Sequence, residues 1–217
     1  MQRVIAVFAL ACAGALTGCA SAPTGAPAAA RAAPQLRLAP ALLGHALNLQ
    51  QHLTLQAPGH DQQLDVLLEA DERHVRMGVV AMGQVAAHLD WDGTTLTEDR
   101  APWWPQAVSG SRILSDLQLT LWPVAAIQAA LPAGWTLVED GNVRTLAQGG
   151  EAVTVVTRLC APAVDSATAR AMTASSSCAK SQDPRRDGAL IEIDQRREHF
   201  KLKIESRDMS DAAPAAS

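Results

Sequence analysis

Four consecutive stretches between residues 47 and 91 alternate apolar and polar side chains with a period of two. Successive side chains of a β-strand point to opposite faces, so this alternation predicts strands that bury one face and expose the other. The apolar sets are Leu47, Leu49, Leu53 and Leu55; Leu64, Val66 and Leu68; Val75, Met77 and Val79; and Val85, Ala87, Leu89 and Trp91. Short polar turns separate them, so the first half of the chain is predicted to form an antiparallel meander.

The spacing becomes helical in residues 111–122, where Ile113, Leu114, Leu117, Leu121 and Trp122 recur on one side. Pro123 cannot donate a backbone hydrogen bond, so it should bend or restart the helix, and a second short helix is predicted over residues 124–131. Strand patterns return in residues 135–138, 142–147 and 152–159, and a final hairpin pairs residues 189–194 with 200–206.

The predicted fold class is mostly β (α+β), an antiparallel half-closed β-barrel with a bent helical insertion on its concave face. Such a concave side is either filled by its own side chains or left partly open for a hydrophobic guest. In an open barrel, Leu117, Leu121, Trp122 and Ile127 would line the cavity. In a filled one, the same four residues would be plain core, and helical spacing does not separate the two cases.

The N-terminus resembles a bacterial lipoprotein signal. Arg3 precedes a short apolar run, and Leu16-Thr17-Gly18-Cys19 matches the lipobox. The resemblance implies cleavage before Cys19 and acylation of its thiol, and two or more acyl chains anchor a protein stably. No aspartate follows Cys19, which implies sorting to the outer membrane, with the domain facing the periplasm. The alternative is an ordinary secretory signal with a chance cysteine.

The chain divides into four parts on this interpretation. Residues 1–18 are the signal peptide, and residues 19–35 are the lipidated cysteine and a flexible linker rich in Ala, Pro and Gly. Residues 36–207 form one folded domain, and residues 208–217 are a disordered tail.

Cys160 and Cys178 remain once Cys12 leaves with the signal and Cys19 carries lipid. An even pair in an exported, oxidising setting predicts a Cys160–Cys178 disulfide, which would stabilise the fold by roughly 3 kcal/mol. Two free thiols are the alternative.

Composition argues against several classes of protein. A formal net charge of −4 without a basic cluster argues against nucleic acid as a partner. The chain has no Gly-x-Ser-x-Gly elbow, His-Glu-x-x-His motif or phosphate-binding glycine loop, so we do not expect an enzyme or a cofactor. Its histidines lack ligand spacing, and His52, His74, His88 and His199 fall on polar strand faces, which argues against a metal site.

Two further groups of residues stand out. Pro102-Trp103-Trp104-Pro105 predicts a stiff loop that forms the cavity rim or touches the bilayer, because an indole suits a membrane interface. The alternative is that Trp103 and Trp104 both fold inward. Asp116 lies one helical turn from Arg112, which predicts a surface ion pair, although Asp116 could instead lie inside the barrel or pair with Arg144.

The chain resembles a bacterial lipoprotein family of uncharacterised function whose fold is related to the lipoprotein carriers LolA and LolB. The residues that carry the resemblance are Ile113-Leu114-Ser115-Asp116-Leu117-Gln118-Leu119, Leu121-Trp122-Pro123, Leu131 and Gly134-Trp135. Gly83, Trp91-Asp92-Gly93, Arg144 and the final hairpin agree more loosely, and the resemblance covers about residues 36–206. The segment from Cys160 to Cys178 departs from the family pattern as an insertion.

The resemblance implies a role near fatty-acid-like or aryl-polyene synthesis, beside whose genes family members often lie. The leading hypothesis is an outer-membrane lipoprotein that binds or transfers a lipid or acyl moiety, a lipoprotein or a polyene lipid, in an apolar cavity. The rival is a structural or assembly lipoprotein that docks on another envelope protein. A hydrolase of lipid-linked substrates is a third, weaker option.

Overall fold

The structure, a computed structural model, describes residues 33–105, 108–159 and 189–210. Within these ranges it contains ten strands and two α-helices. The strands are β1 (Leu47–Ala57), β2 (His60–Ala70), β3 (Val75–Ala81), β4 (Gln84–Trp91), β5 (Leu96–Arg100), β6 (Trp135–Asp140), β7 (Val143–Gln148), β8 (Glu151–Leu159), β9 (Ala189–Gln195) and β10 (Phe200–Asp208). The helices are α1 (Gly110–Leu121) and α2 (Val124–Ala130), and a short 3-10 helix, Pro40–Leu43, precedes β1.

The ten described strands form one antiparallel sheet in the order β5-β4-β3-β2-β1-β10-β9-β8-β7-β6. Strands adjacent in the sequence pair with each other within two meanders, β1 to β5 and β6 to β10. Pairing of β1 with β10 joins the two meanders. The outermost strands β5 and β6 do not pair with each other, so the sheet is not closed into a barrel. The predicted mainly β, antiparallel architecture is confirmed.

The predicted alternation sets the two faces of the sheet. On β3, Val75 and Met77 are buried, whereas Arg76 between them is exposed. The register between neighbouring strands places apolar residues side by side, so the buried face continues from strand to strand; Leu49 on β1, for example, lies opposite Leu68 on β2. One apolar face and one polar face result, as expected for a half-buried antiparallel sheet.

Strand β5 was not predicted, because Leu96 is its sole apolar residue and none of its five residues is buried. It forms through pairing with β4, where Glu98 lies opposite Leu89. Glu98 also accepts a hydrogen bond at 2.9 Å from the backbone N–H of Gly110, the first residue of α1. This polar edge strand therefore contacts the first residue of α1.

The two helices lie on either side of Trp122 and Pro123, so the predicted bent helical segment is confirmed. Ser109 caps α1 by accepting a hydrogen bond from the N–H of Arg112. Pro123 ends α1 and begins α2, because it has no N–H to donate but can precede a new helix. The helices connect β5 to β6 and therefore lead from one edge of the sheet to the other.

Gly110 lies where α1 packs closely against the sheet. A Cβ atom at this position would lie 2.4 Å from Cδ2 of Leu89, so a larger residue requires the helix or the strand to shift. Residues of both helices, among them Leu114 and Ile127, join one buried cluster with the inward residues of both meanders. Among the described residues, none of the helices has the length and apolar character needed to cross a membrane.

Candidate functional site

An extended segment ahead of β1, residues 34–39 and hereafter the strap, lies along α1. Ser115 Oγ accepts from the N–H of Leu36 at 3.0 Å and donates to the carbonyl of Pro34 at 3.0 Å. One turn later, Gln118 Oε1 accepts a hydrogen bond from the N–H of Leu38 at 2.9 Å, and Gln118 Nε2 donates one to the carbonyl of Leu38 at 2.9 Å. Gln118 thus supplies both hydrogen bonds that a neighbouring strand would give to Leu38.

Two tryptophans complete the attachment of the strap. Trp91 Nε1 donates to the carbonyl of Leu38 at 2.8 Å, and Trp122 Nε1 donates to the carbonyl of Ala39 at 3.2 Å. The strap runs in the same direction as α1, with Pro34 beside Ser115 and Ala39 beside Trp122. Because buried polar groups need partners, these side chains fix the path of the strap through the core.

Arg144 on β7 holds the other end of α1. Its Nη1 donates to the carbonyls of Leu119, Thr120 and Trp122 at 3.0, 3.2 and 2.7 Å, and its Nε donates to Glu139 on β6. The last carbonyls of a helix lack intrahelical partners and carry partial negative charge. The buried guanidinium of Arg144 therefore caps the C-terminus of α1.

Glu139 balances the charge of this cap, since it also accepts from Arg158 Nη1 at 3.0 Å. Burial alone would raise the pKa of Glu139, but the hydrogen bonds and charges of Arg144 and Arg158 outweigh burial and hold that pKa below its usual value. Glu139 is therefore ionised at neutral pH.

A second polar network joins α1 to the hairpin of β9 and β10. Asp116 Oδ2 accepts from Arg112 Nε at 2.9 Å, and Asp116 Oδ1 accepts from Gln195 Nε2 at 2.9 Å. Arg112 Nη1 donates to Glu198 at 2.5 Å, and Thr154 Oγ1 donates to Gln195 Oε1 at 2.7 Å. Each side chain of this network therefore forms a hydrogen bond with another side chain of the same domain.

The ion pair of Arg112 with Asp116 is present, but its predicted place on the surface is wrong. Only 18% and 17% of these two side chains is exposed, because the hairpin covers them. The alternative pairing of Asp116 with Arg144 is also wrong, since Arg144 pairs with Glu139. Burial raises the pKa of Asp116, and the attraction of Arg112 opposes that rise.

The loop that follows β5 separates its two tryptophans. Trp104 is buried and its Nε1 donates to the carbonyl of Val108 at 3.1 Å. Trp103 is 40% exposed, and the two rings meet edge to face with their centroids 6.3 Å apart. One indole therefore lies inside the domain, and the other remains available at the surface.

Trp103 borders an open recess with a volume of about 840 Å³. Four of the residues that line this recess are apolar, namely Val80, Met82, Trp103 and Pro105. Six are polar, namely His52, Thr54, Asp61, Gln62, Gln63 and Asp65. The recess therefore combines apolar contact area with hydrogen-bonding groups.

Most polar residues of the recess lie on β1 and β2. His52 lies opposite Asp65, and its Nδ1 is 2.9 Å from Asp65 Oδ1. Carboxylate, amide and hydroxyl oxygens give this lining many hydrogen-bond acceptors. Among the described residues that line the recess, none is a lysine or an arginine.

Met82 occupies the turn between β3 and β4 with a φ of 52°, in the left-handed region that Gly, Asn and Asp adopt more readily. Its side chain is 78% exposed. The turn thus carries a large apolar side chain at a position where neither packing nor backbone preference favours one.

The four residues predicted to line an apolar cavity lie elsewhere. Trp122 and Ile127 are fully buried, Leu121 is buried, and Leu117 packs partly buried against the same cluster. None of them lines the recess. The lipidation site Cys19 and the predicted disulfide, Cys160 and Cys178, fall outside the described residues.

Of the residues at the recess, the sequence pattern predicts a site role for Trp103 but not for His52, Asp61, Asp65 or Met82. The three polar residues sit on the polar face of regular strands, where alternation predicts solvated side chains and nothing more. Met82 did offer a signal, because a methionine directly before Gly83 in a two-residue turn is unusual.

Within the described ranges, no three His, Cys, Asp or Glu side chains are grouped as a metal site requires. Comparison with curated proteins finds no match. A family model described as a protein of unknown function, DUF3261, matches residues 48–208, which is more than half of the chain and extends from β1 to β10. The chain therefore belongs to the DUF3261 family.

Proposed function

We propose that the protein is an outer-membrane lipoprotein, anchored through Cys19 and facing the periplasm, that binds a lipid or acyl compound in the recess. The observation that carries this proposal is the exposure of Trp103 and Met82 beside polar groups in one recess. An amphiphile needs both kinds of contact, because its chain leaves water for apolar surface while its polar end keeps hydrogen bonds.

The size of the recess supports this function. Its volume of about 840 Å³ falls in the range of small-molecule sites, roughly 300–1,000 Å³. The core around α1 gives no comparable support for a binding cavity, because the side chains of Trp122 and Ile127 have no exposed surface. We therefore locate the proposed binding at the recess and not along α1.

The path of the strap supports an orientation toward the membrane. The strap runs parallel to α1, and the loop with Trp103 leads directly into α1, so the chain enters the domain from the side of that loop. An extended chain from Cys19 to Ala33 spans at most about 50 Å. A lipid on Cys19 would therefore keep Trp103 and Met82 within reach of the bilayer, where an indole is favourable.

We also propose that the open sheet and its two helices form a half-closed barrel like those of LolA and LolB. Two observations support it: α1 and α2 lead from one sheet edge to the other, and α1 contacts strands of both meanders. Gly110 meets Leu89 on β4, and Arg144 on β7 caps the other end of the helix.

The binding test uses the Cys19→Ser chain, which cannot carry the lipid, and a neutral dodecyl glycoside below its micellar concentration. We expect Trp103→Ser in this background to weaken binding about tenfold, because the ring supplies much of the apolar contact area. Val138→Ser is the matched control, since Val138 is 59% exposed on β6 and does not line the recess. Isothermal titration calorimetry measures both. Equal affinity of the two variants would reject the recess as the binding site.

The anchoring part of the proposal is tested separately in cells. We expect Cys19→Ser to abolish both signal processing and membrane attachment of the chain. Native mass spectrometry of the protein purified from membranes then addresses the rival docking role. Co-purified lipid supports binding, whereas a lipid-free chain held by an envelope protein supports the assembly lipoprotein.

A further inference from the structure

We propose that the recess selects amphiphiles whose polar end is a cation, with a primary ammonium group as the class of ligand that it takes. This inference rests on the proposed binding of an amphiphile in the recess and adds the charge of its headgroup. The ligand class follows from the charges, hydrogen-bond acceptors and aromatic surface that the recess presents.

Two carboxylates supply the negative charge. Asp61 and Asp65 lie on the same face of β2 with Gln63 between them, and both line the recess with exposed side chains. Ionised carboxylates accept hydrogen bonds and do not donate them, so they suit an ammonium group with its three N–H donors. Side-chain oxygens of Thr54 and Gln63 extend the same acceptor surface.

The described lining contains no lysine or arginine to oppose a cation. His52 is the sole basic residue in it, and its Nδ1 contacts Asp65 at 2.9 Å. Lys203 lies opposite Thr54 on the neighbouring strand β10, but its Nζ bonds to Glu205 at 2.8 Å. A phosphate or carboxylate headgroup would find two like charges here and no lysine or arginine among the described residues that line the recess.

Trp103 adds a further contact for a cation. An ammonium group over an indole face is attracted by the partial negative charge of the π face of the neutral ring, and this attraction is retained at partly exposed sites. Trp103 is 40% exposed and lines the recess together with the two carboxylates. The same ring can contact the first methylene groups of the chain, so the head and tail of one ligand both find partners.

The test compares dodecylammonium, dodecanoate and a neutral dodecyl glycoside, each below its micellar concentration, on the Cys19→Ser chain. We expect dodecylammonium to bind about tenfold more tightly than the neutral probe, and dodecanoate to bind more weakly than it. The preference should shrink at high ionic strength, since salt screens exposed charges. Ethanolamine, which has the ammonium but no long chain, should bind too weakly to detect.

The deciding variant is Asp61→Asn with Asp65→Asn, which removes both charges and keeps the shape. We expect it to lower the affinity for dodecylammonium about tenfold and to weaken binding of the neutral probe much less, because the asparagine amides keep oxygen acceptors for its hydroxyl groups. Asp99→Asn is the matched control, because Asp99 is an exposed carboxylate on β5 that does not line the recess. Circular dichroism checks that each variant is folded.

The outcomes separate this inference from the proposed function. If the neutral probe binds through Trp103 but dodecylammonium gains nothing from Asp61 and Asp65, the charge preference is overturned and the lipid site stands. If ethanolamine binds as tightly as dodecylammonium, the alkyl chain contributes nothing. The recess is then a site for small amines, and the proposal that its ligand is an amphiphile is overturned. If no probe binds, the proposed function itself fails.

Discussion

Trp122 and Trp103 lie in similar proline-containing sequences but in contrasting surroundings. Trp122 precedes Pro123, has no exposed surface and donates its N–H to the strap. Trp103 follows Pro102, is 40% exposed and borders the recess. The first tryptophan is part of the fold, and the second is available for binding.

The contrast extends to the residues around each ring. Ser115 and Gln118, which lie in the segment that carries the family resemblance, form hydrogen bonds with backbone atoms of the same domain. Arg144, which agrees with the family more loosely, bonds to backbone carbonyls and to Glu139. Residues of the recess sit on regular strands and one turn, where no recognisable motif marks them. In this protein the most recognisable motif therefore explains folding, and the candidate for binding lies outside it.

The largest effect should separate the two tryptophans by stability. Trp122→Ala removes a fully buried ring and its hydrogen bond, so we expect the free energy of unfolding to fall by about 3–5 kcal/mol. Trp103→Ala should change it by no more than about 0.5 kcal/mol, as is usual for an exposed position. Urea denaturation followed by circular dichroism measures both. If both variants lost a similar free energy of unfolding, the distinction between a structural Trp122 and an available Trp103 would be wrong.

A smaller effect tests whether Gln118 holds the strap. Gln118→Met keeps the apolar volume but removes both hydrogen bonds to Leu38, so the loss in the free energy of unfolding should be about 1–3 kcal/mol. Gln63→Met, in the exposed lining of the recess, is the matched control and should have almost no effect. An unchanged Gln118→Met protein would mean that the strap needs no partner on α1.

The smallest effect concerns Glu139 and its dependence on pH. The folded-state pKa of Glu139 is lowered, so its stabilisation is present above the ordinary glutamate pKa and is lost as the pH falls through the lowered value. Glu139→Gln should therefore cost about 1–2 kcal/mol at pH 7. Urea denaturation at a series of pH values should show the two proteins converging in acid. A difference that persists in acid would exclude the ion pair as its source.

Sequence patterns predicted most elements correctly and missed β5. The apolar residues of β1 to β4 and the interruption at Pro123 are local signals, and both correspond to observed elements. Polar β5 carries no such signal, because its place depends on pairing with β4 and on holding Gly110. The same reason explains why the sequence placed Asp116 correctly beside Arg112 but left open whether it lies at the surface or inside, since the hairpin that covers the pair lies far along the chain.

The sequence by itself determined the mainly β architecture, the two helices and the polar and apolar faces, because strand and helix periodicity are written within a few residues. Tertiary structure alone decided which tryptophan is exposed, what Gln118 and Arg144 bond to, and where the recess lies. These features depend on contacts between distant positions, as with Leu38 and Gln118, which are 80 residues apart. No local pattern records such contacts, because each follows from how the strap, the sheet and α1 pack together.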